Sequence, residues 1–150
     1  MIDSAPTTGR FKAIAIGDAH ACAIQDGGAI VCWGDDAAGQ ASAPRGHFVA
    51  IAAGGTHSCA IRSNGRAACW GSNDFGESNP PSGRFAAIAV GTSHSCGLRL
   101  DGTVDCWGDN SGRQTTAPKL RMSSITSGGA YTCGVGALDF RIHCWGSWAR

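Results

Sequence analysis

The sequence lacks any apolar run near the ~20 residues that a membrane-spanning helix needs. Its 12 Lys and Arg against 11 Asp and Glu leave a net charge of only +1. That balance removes the bulk electrostatic case for nucleic-acid or membrane-surface binding. The opening Met1-Ile2-Asp3-Ser4-Ala5-Pro6 has neither the basic patch nor the apolar core of a signal peptide. No P-loop or dinucleotide fingerprint occurs, so neither phosphate-cradling chemistry is expected. A sustained 3.6-residue period is absent, which argues against helix. Also missing is the tight C-x2-4-C turn that usually holds two zinc ligands.

What is present is one phrase repeated four times. Trp33, Trp70, Trp107 and Trp145 each lie in a Cys-Trp-Gly triplet, and Cys22, Cys59, Cys96 and Cys133 recur every 37 residues. Other columns keep the same step: Phe11, Phe48, Phe85 and Met122; Ile14, Ile51, Ile88 and Ile125; Gly17, Gly54, Gly91 and Gly128; His20, His57 and His94, with Tyr131 in the last unit. A period of this length marks a solenoid or a propeller, whose units bury their apolar faces on each other. The chain therefore divides into units 11–47, 48–84, 85–121 and 122–150, preceded by residues 1–10.

Within the first unit, His20–Ile24 alternates, Asp26-Gly27 signals a tight turn, and Ile30–Trp33 returns. The turn recurs as Asn64-Gly65 and Asp101-Gly102, and the fourth unit replaces it with a loop one residue longer. Ile14–Gly17 reads as a further strand, with Phe11 packed from the preceding bend. Gly39-Gln40 to Pro44 reads as an outer strand, since proline is tolerated at a sheet edge. Four short strands per unit describe a β-propeller blade. The expected fold is thus all-β, a propeller of four blades. The last unit stops soon after its Cys-Trp-Gly triplet, while Ser4-Ala5-Pro6 and Gly9 resemble Ser42-Ala43-Pro44 and Gly46. Residues 1–10 are accordingly expected to supply the closing outer strand of the last blade, within one chain or between two. A four-blade ring, an eight-blade homodimer and part of a larger ring remain open.

The cysteines pair naturally about each hairpin. Opposed residues at a non-hydrogen-bonded site lie about 4.5 Å apart at Cα, within disulfide reach. This predicts Cys22–Cys32, Cys59–Cys69, Cys96–Cys106 and Cys133–Cys144, the simplest of the 105 possible connectivities. Reduced, buried thiols are a second reading. Zinc held by His20, Cys22 and Cys32 is a third, weakened by the spacing and by Tyr131. Disulfides imply an extracellular or otherwise oxidising compartment.

The string Gly-x-x-His-x-Cys-Ala-Ile, a turn, Cys-Trp-Gly and then Gly-Gln resembles the regulator of chromosome condensation repeat over residues 11–150. The cysteine-bearing form is similar to repeats of bacterial extracellular propellers and of crinkly-type plant receptor kinase ectodomains. The resemblance implies a propeller, usually of seven blades, acting as a binding scaffold. Members of the family include a nucleotide exchange factor for a small nuclear GTPase and a secreted β-lactamase inhibitor.

Repetition argues against catalysis, because a triad needs one unique arrangement. The histidines are expected to bond backbone at strand starts, and the tryptophans to pack. Since neighbours in a strand point to opposite faces, His57 should not activate Ser58. Function is expected in the unrepeated loops of a rigid scaffold. Strand alternation gathers Asp18, Asp35, Asp36, Asn73, Asp74, Phe75, Asp109 and Asn110 at one end of the blades. The other end collects Arg10, Lys12, Arg45, His47, Arg62, Arg66, Arg84, Arg99, Lys119 and Arg121, partly offset by Asp26 and Asp101. Arg62, Arg66 and Arg99 are candidate binding residues, and Phe75 and Trp148 candidate aromatic anchors. The expected activity is a non-enzymatic protein-interaction scaffold without metal or cofactor. A carbohydrate-binding propeller and a structural, oligomerising unit are the alternatives.

Overall fold

The computed structural model describes residues 5–147 and is all-β among them. The first unit forms β1 (Phe11–Ile16), β2 (His20–Gln25) and β3 (Ile30–Gly34). The second forms β4 (Phe48–Ala53), β5 (His57–Arg62) and β6 (Ala67–Gly71). The third forms β7 (Phe85–Val90), β8 (His94–Arg99) and β9 (Val104–Gly108). The fourth forms β10 (Met122–Gly128), β11 (Ala130–Gly136) and β12 (Ile142–Ser147). Each unit is a three-stranded antiparallel meander in chain order.

Three details differ from the sequence reading. The outer strand is absent: residues 35–47 and their counterparts form turns and bends, so β3, β6 and β9 keep an open outer edge. Phe11 lies within β1 rather than in a preceding bend. A β-bulge between Phe11 and Ala13 absorbs the extra residue, as it does at Phe48/Ala50, Phe85/Ala87 and Met122/Ser124. The bulge resets the alternation, so Phe48 and Ile51 join one apolar cluster although they are three apart. In the first hairpin, the glycine with positive φ is Gly28 (93°), matching Gly65 (88°) and Gly102 (89°). The turn pair is therefore Gly27-Gly28, one residue later than the Asp26-Gly27 signal. The longer fourth turn instead places Phe140 at φ 58°.

The units pack side by side, the first strand of each lying against the first and second strands of the unit before it. Apolar clusters fill each junction: Ile24 and Cys22 against Phe48 and Trp70, Ile61 and Cys59 against Phe85 and Trp107, Leu98 and Cys96 against Met122 and Trp145. Burying residues of this size contributes about 2 kcal/mol each. Near the common axis the backbones almost touch. A Cβ on Gly54 would collide with the Gly91 carbonyl, and Gly17 and Gly91 are as crowded, so these three must be glycine for space alone. Asp18, Gly55 and Thr92 donate their N–H groups to the carbonyls of Gly54, Gly91 and Gly129 across the three junctions, at 3.1, 3.3 and 2.8 Å. The result is an arc of four propeller blades. No apolar cluster among the described residues joins the fourth blade to the first. Residues 5–10 form no strand, and Ala5 and Pro6 lie beside Phe11 and Trp33 of the first blade.

Candidate interaction surface

All four cysteine pairs are disulfides, each with a Cα–Cα separation of 4.0 Å across directly paired strand positions. Cys22 and Cys32 are thereby committed to each other, and no thiolate remains to join His20 around zinc.

The histidines reach across the junctions. His20 Nε2 lies 2.7 Å from Ser58 Oγ, His57 Nε2 2.8 Å from Ser95 Oγ, and His94 Nε2 2.8 Å from Thr132 Oγ1. The partner is thus a hydroxyl of the next blade, not local backbone, and His57 indeed passes over Ser58. Ser95 spends its proton on the Glu77 carbonyl at 3.1 Å, so it accepts from His57 Nε2–H. These pairs have the spacing of a catalytic dyad, yet His57, Ser95 and His94 are fully buried, out of reach of any substrate. Burial pushes His57 and His94 down to about 4, and lowers His20 as well. Nδ1 of all three is buried without a partner, which leaves a second proton no acceptor. Trp70 and Trp107 donate Nε1–H to the carbonyls of Gln40 and Glu77, both at 2.9 Å. Trp145 is buried as well, and Trp33 is half-buried on the first blade. Trp70 and Trp107 thus fasten linker to blade.

The two ends of the blades are as expected. Ser63 N bonds His47 O and Ala137 N bonds Arg121 O, so hairpins and linkers share one end. Asp35 N bonds Ala19 O and Ser72 N bonds Thr56 O, so the remaining loops share the other. At that second end, however, most of the polar groups serve their own loops, Asp18 and Asp74 being the exposed exceptions. Asp36 accepts from Ala41 N and the Ser42 hydroxyl, Asn73 from Ser78 N, and Asn110 from Thr115 N. Asp35 and Asp109 accept from the amides of Gln40 and Gln114, and Glu77 accepts from Ser72 and from Phe75 N.

The candidate arginines divide in the same way. Arg62 lies 4.8 Å over the Phe48 ring and donates to the Arg45 carbonyl. Arg99 lies 4.0 Å over Phe85, pairs with Asp105 at 2.7 Å and donates to the Ser82 carbonyl. Both therefore close the hairpin over the blade core. Arg66 is exposed, as are Arg45, Arg84 and Lys119, and none of the four is ion-paired among the described residues. Phe75 is 57% exposed but sits at the opposite end from Arg66, so the two cannot form one site. Trp148 lies outside the described residues. One feature escaped sequence reasoning: a groove of about 610 Å³ between β9 and linker 115–121, bordered by Asp105, Thr115, Lys119 and Arg121. It occupies the flank where an outer strand was expected. The only sequence signal for it was proline at 118 interrupting that strand.

The model of the Regulator of chromosome condensation (RCC1) repeat matches residues 11–40, 48–77 and 85–114. The chain belongs to this family. Its structure is similar to the entire ectodomain of the Physcomitrella patens receptor kinase CR4 (TM-score 0.83, 33% identity), covering 95% of this chain and 43% of that one. The CRINKLY WD40 ectodomain of the Arabidopsis thaliana receptor kinase ACR4 is also similar (TM-score 0.79, 29% identity), over 92% of this chain and 50% of that one. Yeast RCC1 (Prp20), solved with Kap60 bound, shares the fold at 18% identity (TM-score 0.80), over 94% of this chain and 45% of Prp20. The chain thus spans about half the length of these structures or less. No curated protein sequence matches it significantly. Among the described residues, no helix is long and apolar enough to cross a membrane.

Proposed function

We propose that this RCC1-repeat chain is a non-enzymatic scaffold that binds a protein partner through the hairpin end of its blades, in an oxidising, extracellular setting. One observation carries the reading. Arg45, Arg66, Arg84 and Lys119 stand exposed and unpaired at that end, while Asp35, Asp36, Glu77 and Asp109 at the other end are bonded within their own loops, leaving only Asp18 and Asp74 exposed there without such a bond among the described residues. Such a surface favours an acidic partner, with attraction that salt screens. The four disulfides and the ectodomain relatives support the compartment.

Retention on immobilised polyglutamate, followed against salt, tests the surface. The triple variant Arg66→Glu, Arg84→Glu, Lys119→Glu should elute at markedly lower salt, while Arg113→Glu at the far end should not. Equal retention of the triple variant and the parent would refute the reading. The groove beside β9 favours a carbohydrate as second reading, because Thr103, Asp105, Thr115 and Thr116 give it hydroxyl and carboxylate groups. Glycan-array binding lost on Asp105→Ala would favour that one.

A further inference from the structure

The three internal junctions are one interface used three times, and both halves of a fourth stand uncovered. On the first blade Phe11, Ile14 and Ile16 are 36%, 63% and 74% exposed, whereas the column-mates Phe48, Phe85 and Met122 are 1–3% exposed. Phe11 and Ile14 border an apolar hollow of about 400 Å³ together with Pro6 and Trp33. On the fourth blade Val135 and Ile142 border a hollow of about 160 Å³. Val135 shares its column with Ile24, Ile61 and Leu98, which fill the internal junctions.

The glycine column adds an independent sign. A Cβ on Gly17, Gly54 or Gly91 would strike the carbonyl of the next blade. Gly128 is the fourth member, yet a Cβ there would meet nothing within 4 Å, and its φ is ordinary. Neither space nor backbone conformation within the chain requires glycine at 128. A carbonyl arriving from a further blade would. The first blade has one to offer: among the described residues Gly17 O accepts no hydrogen bond, while Gly54 O, Gly91 O and Gly129 O each accept one across a junction.

The histidine–hydroxyl column changes at both ends together. Tyr131 replaces the histidine of the fourth blade, and Ala21 replaces the hydroxyl of the first. A histidine at 131 meeting Ala21 would lose its acceptor in a buried place, at a cost in stability. The two exceptions match if positions 131 and 21 face each other.

We propose that the fourth blade of one copy docks onto the first blade of a second, and that the reciprocal junction closes a two-fold ring of eight blades. Propellers of this size occur, and a head-to-tail interface that closes gives a ring rather than a fibre. Residues 5–10, already seated on the first blade, enter each new junction as linker 41–47 enters an internal one.

Native mass spectrometry of the 150-residue chain, with light scattering in solution, tests this. The expected mass is twice 15.3 kDa. Gly128→Val should abolish the dimer and leave a folded monomer, because the added side chain meets only open space within its own chain. Ile14→Glu, at an exposed position, should do the same from the other face. Mixing the two variants should restore a dimer through the one junction they leave intact. A parent mass of a single chain at micromolar concentration would overturn the proposal. So would a dimer that survives both substitutions.

Discussion

Acid should destabilise this protein through its buried histidines. His57 and His94 are held down to about 4 by burial, against 6.5 for an exposed imidazole. The unfolded chain therefore binds more protons than the folded one between those values, and stability falls as pH falls through that window. At pH 5 each site should have lost about 2 kcal/mol relative to pH 7, and the pair about 4 kcal/mol. His20 moves in the same direction. For a domain of 150 residues, 4 kcal/mol lowers the melting temperature by roughly 10 °C. Asp109 and Asp101 do not share the window. The Ser111 N–H and the Thr103 hydroxyl, respectively, hold their carboxyls below the usual range, so they remain ionised there. Urea unfolding at pH 7, 6 and 5, with disulfides intact, measures the effect. The double variant His57→Gln, His94→Gln should begin less stable at pH 7 but lose most of the slope. A parent stability that changes by less than about 1 kcal/mol between pH 7 and 5 would refute the reasoning.

Three further predictions follow from repeat-to-repeat differences. Arg113 holds φ 64° where the other units have Gly39 (83°) and Gly76 (82°), so Arg113→Gly should stabilise by about 0.5–1 kcal/mol, read as a higher urea midpoint. Ser72→Asp should set two carboxylates together, because Ser72 Oγ lies 2.9 Å from Glu77 Oε1. Adding Glu77→Gln recreates the Asp35–Gln40 pair, and the double-mutant cycle should show a coupling of about 1 kcal/mol or more. Removing one staple, as Cys59→Ala with Cys69→Ala, should cost about 2–3 kcal/mol in equilibrium unfolding.

Most of the blade was legible because its causes are local. A 37-residue period, a turn glycine and two cysteines placed symmetrically about it suffice to locate a hairpin and its disulfide. Legibility failed where the deciding contact lies one unit away. His57 finds its acceptor at Ser95, 38 residues on, and no local pattern announces that. Comparing columns would have done so: Ser58, Ser95 and Thr132 keep a hydroxyl at each position that a histidine reaches. Arg62 and Arg99 looked like free charges for the same reason. The Phe48 and Phe85 rings beneath them are at the far end of their hairpins in sequence and directly under them in space. The outer strand was over-read because Pro44 and its neighbours are compatible with an edge, whereas the Asp36 carboxylate draws Ala41 N and Ser42 into a turn instead.

The loop acids show why counting charge could not settle the surface. In the first and third units a carboxylate, Asp35 or Asp109, accepts from a buried amide, Gln40 or Gln114. In the second the polarity is reversed: the carboxylate is buried Glu77 and the donor is Ser72. Both versions keep one donor and one acceptor in the same place, and both satisfy a backbone N–H at the loop tip. An unpaired carboxylate at that depth would cost far more than an amide, so the two columns must change together. Each such acid is therefore part of the loop's framework, and its charge is directed inward. The exposed cations at the hairpin end have no such inward partner. The asymmetry between the ends lies in which charges are spent on the fold, and a net charge of +1 conceals it.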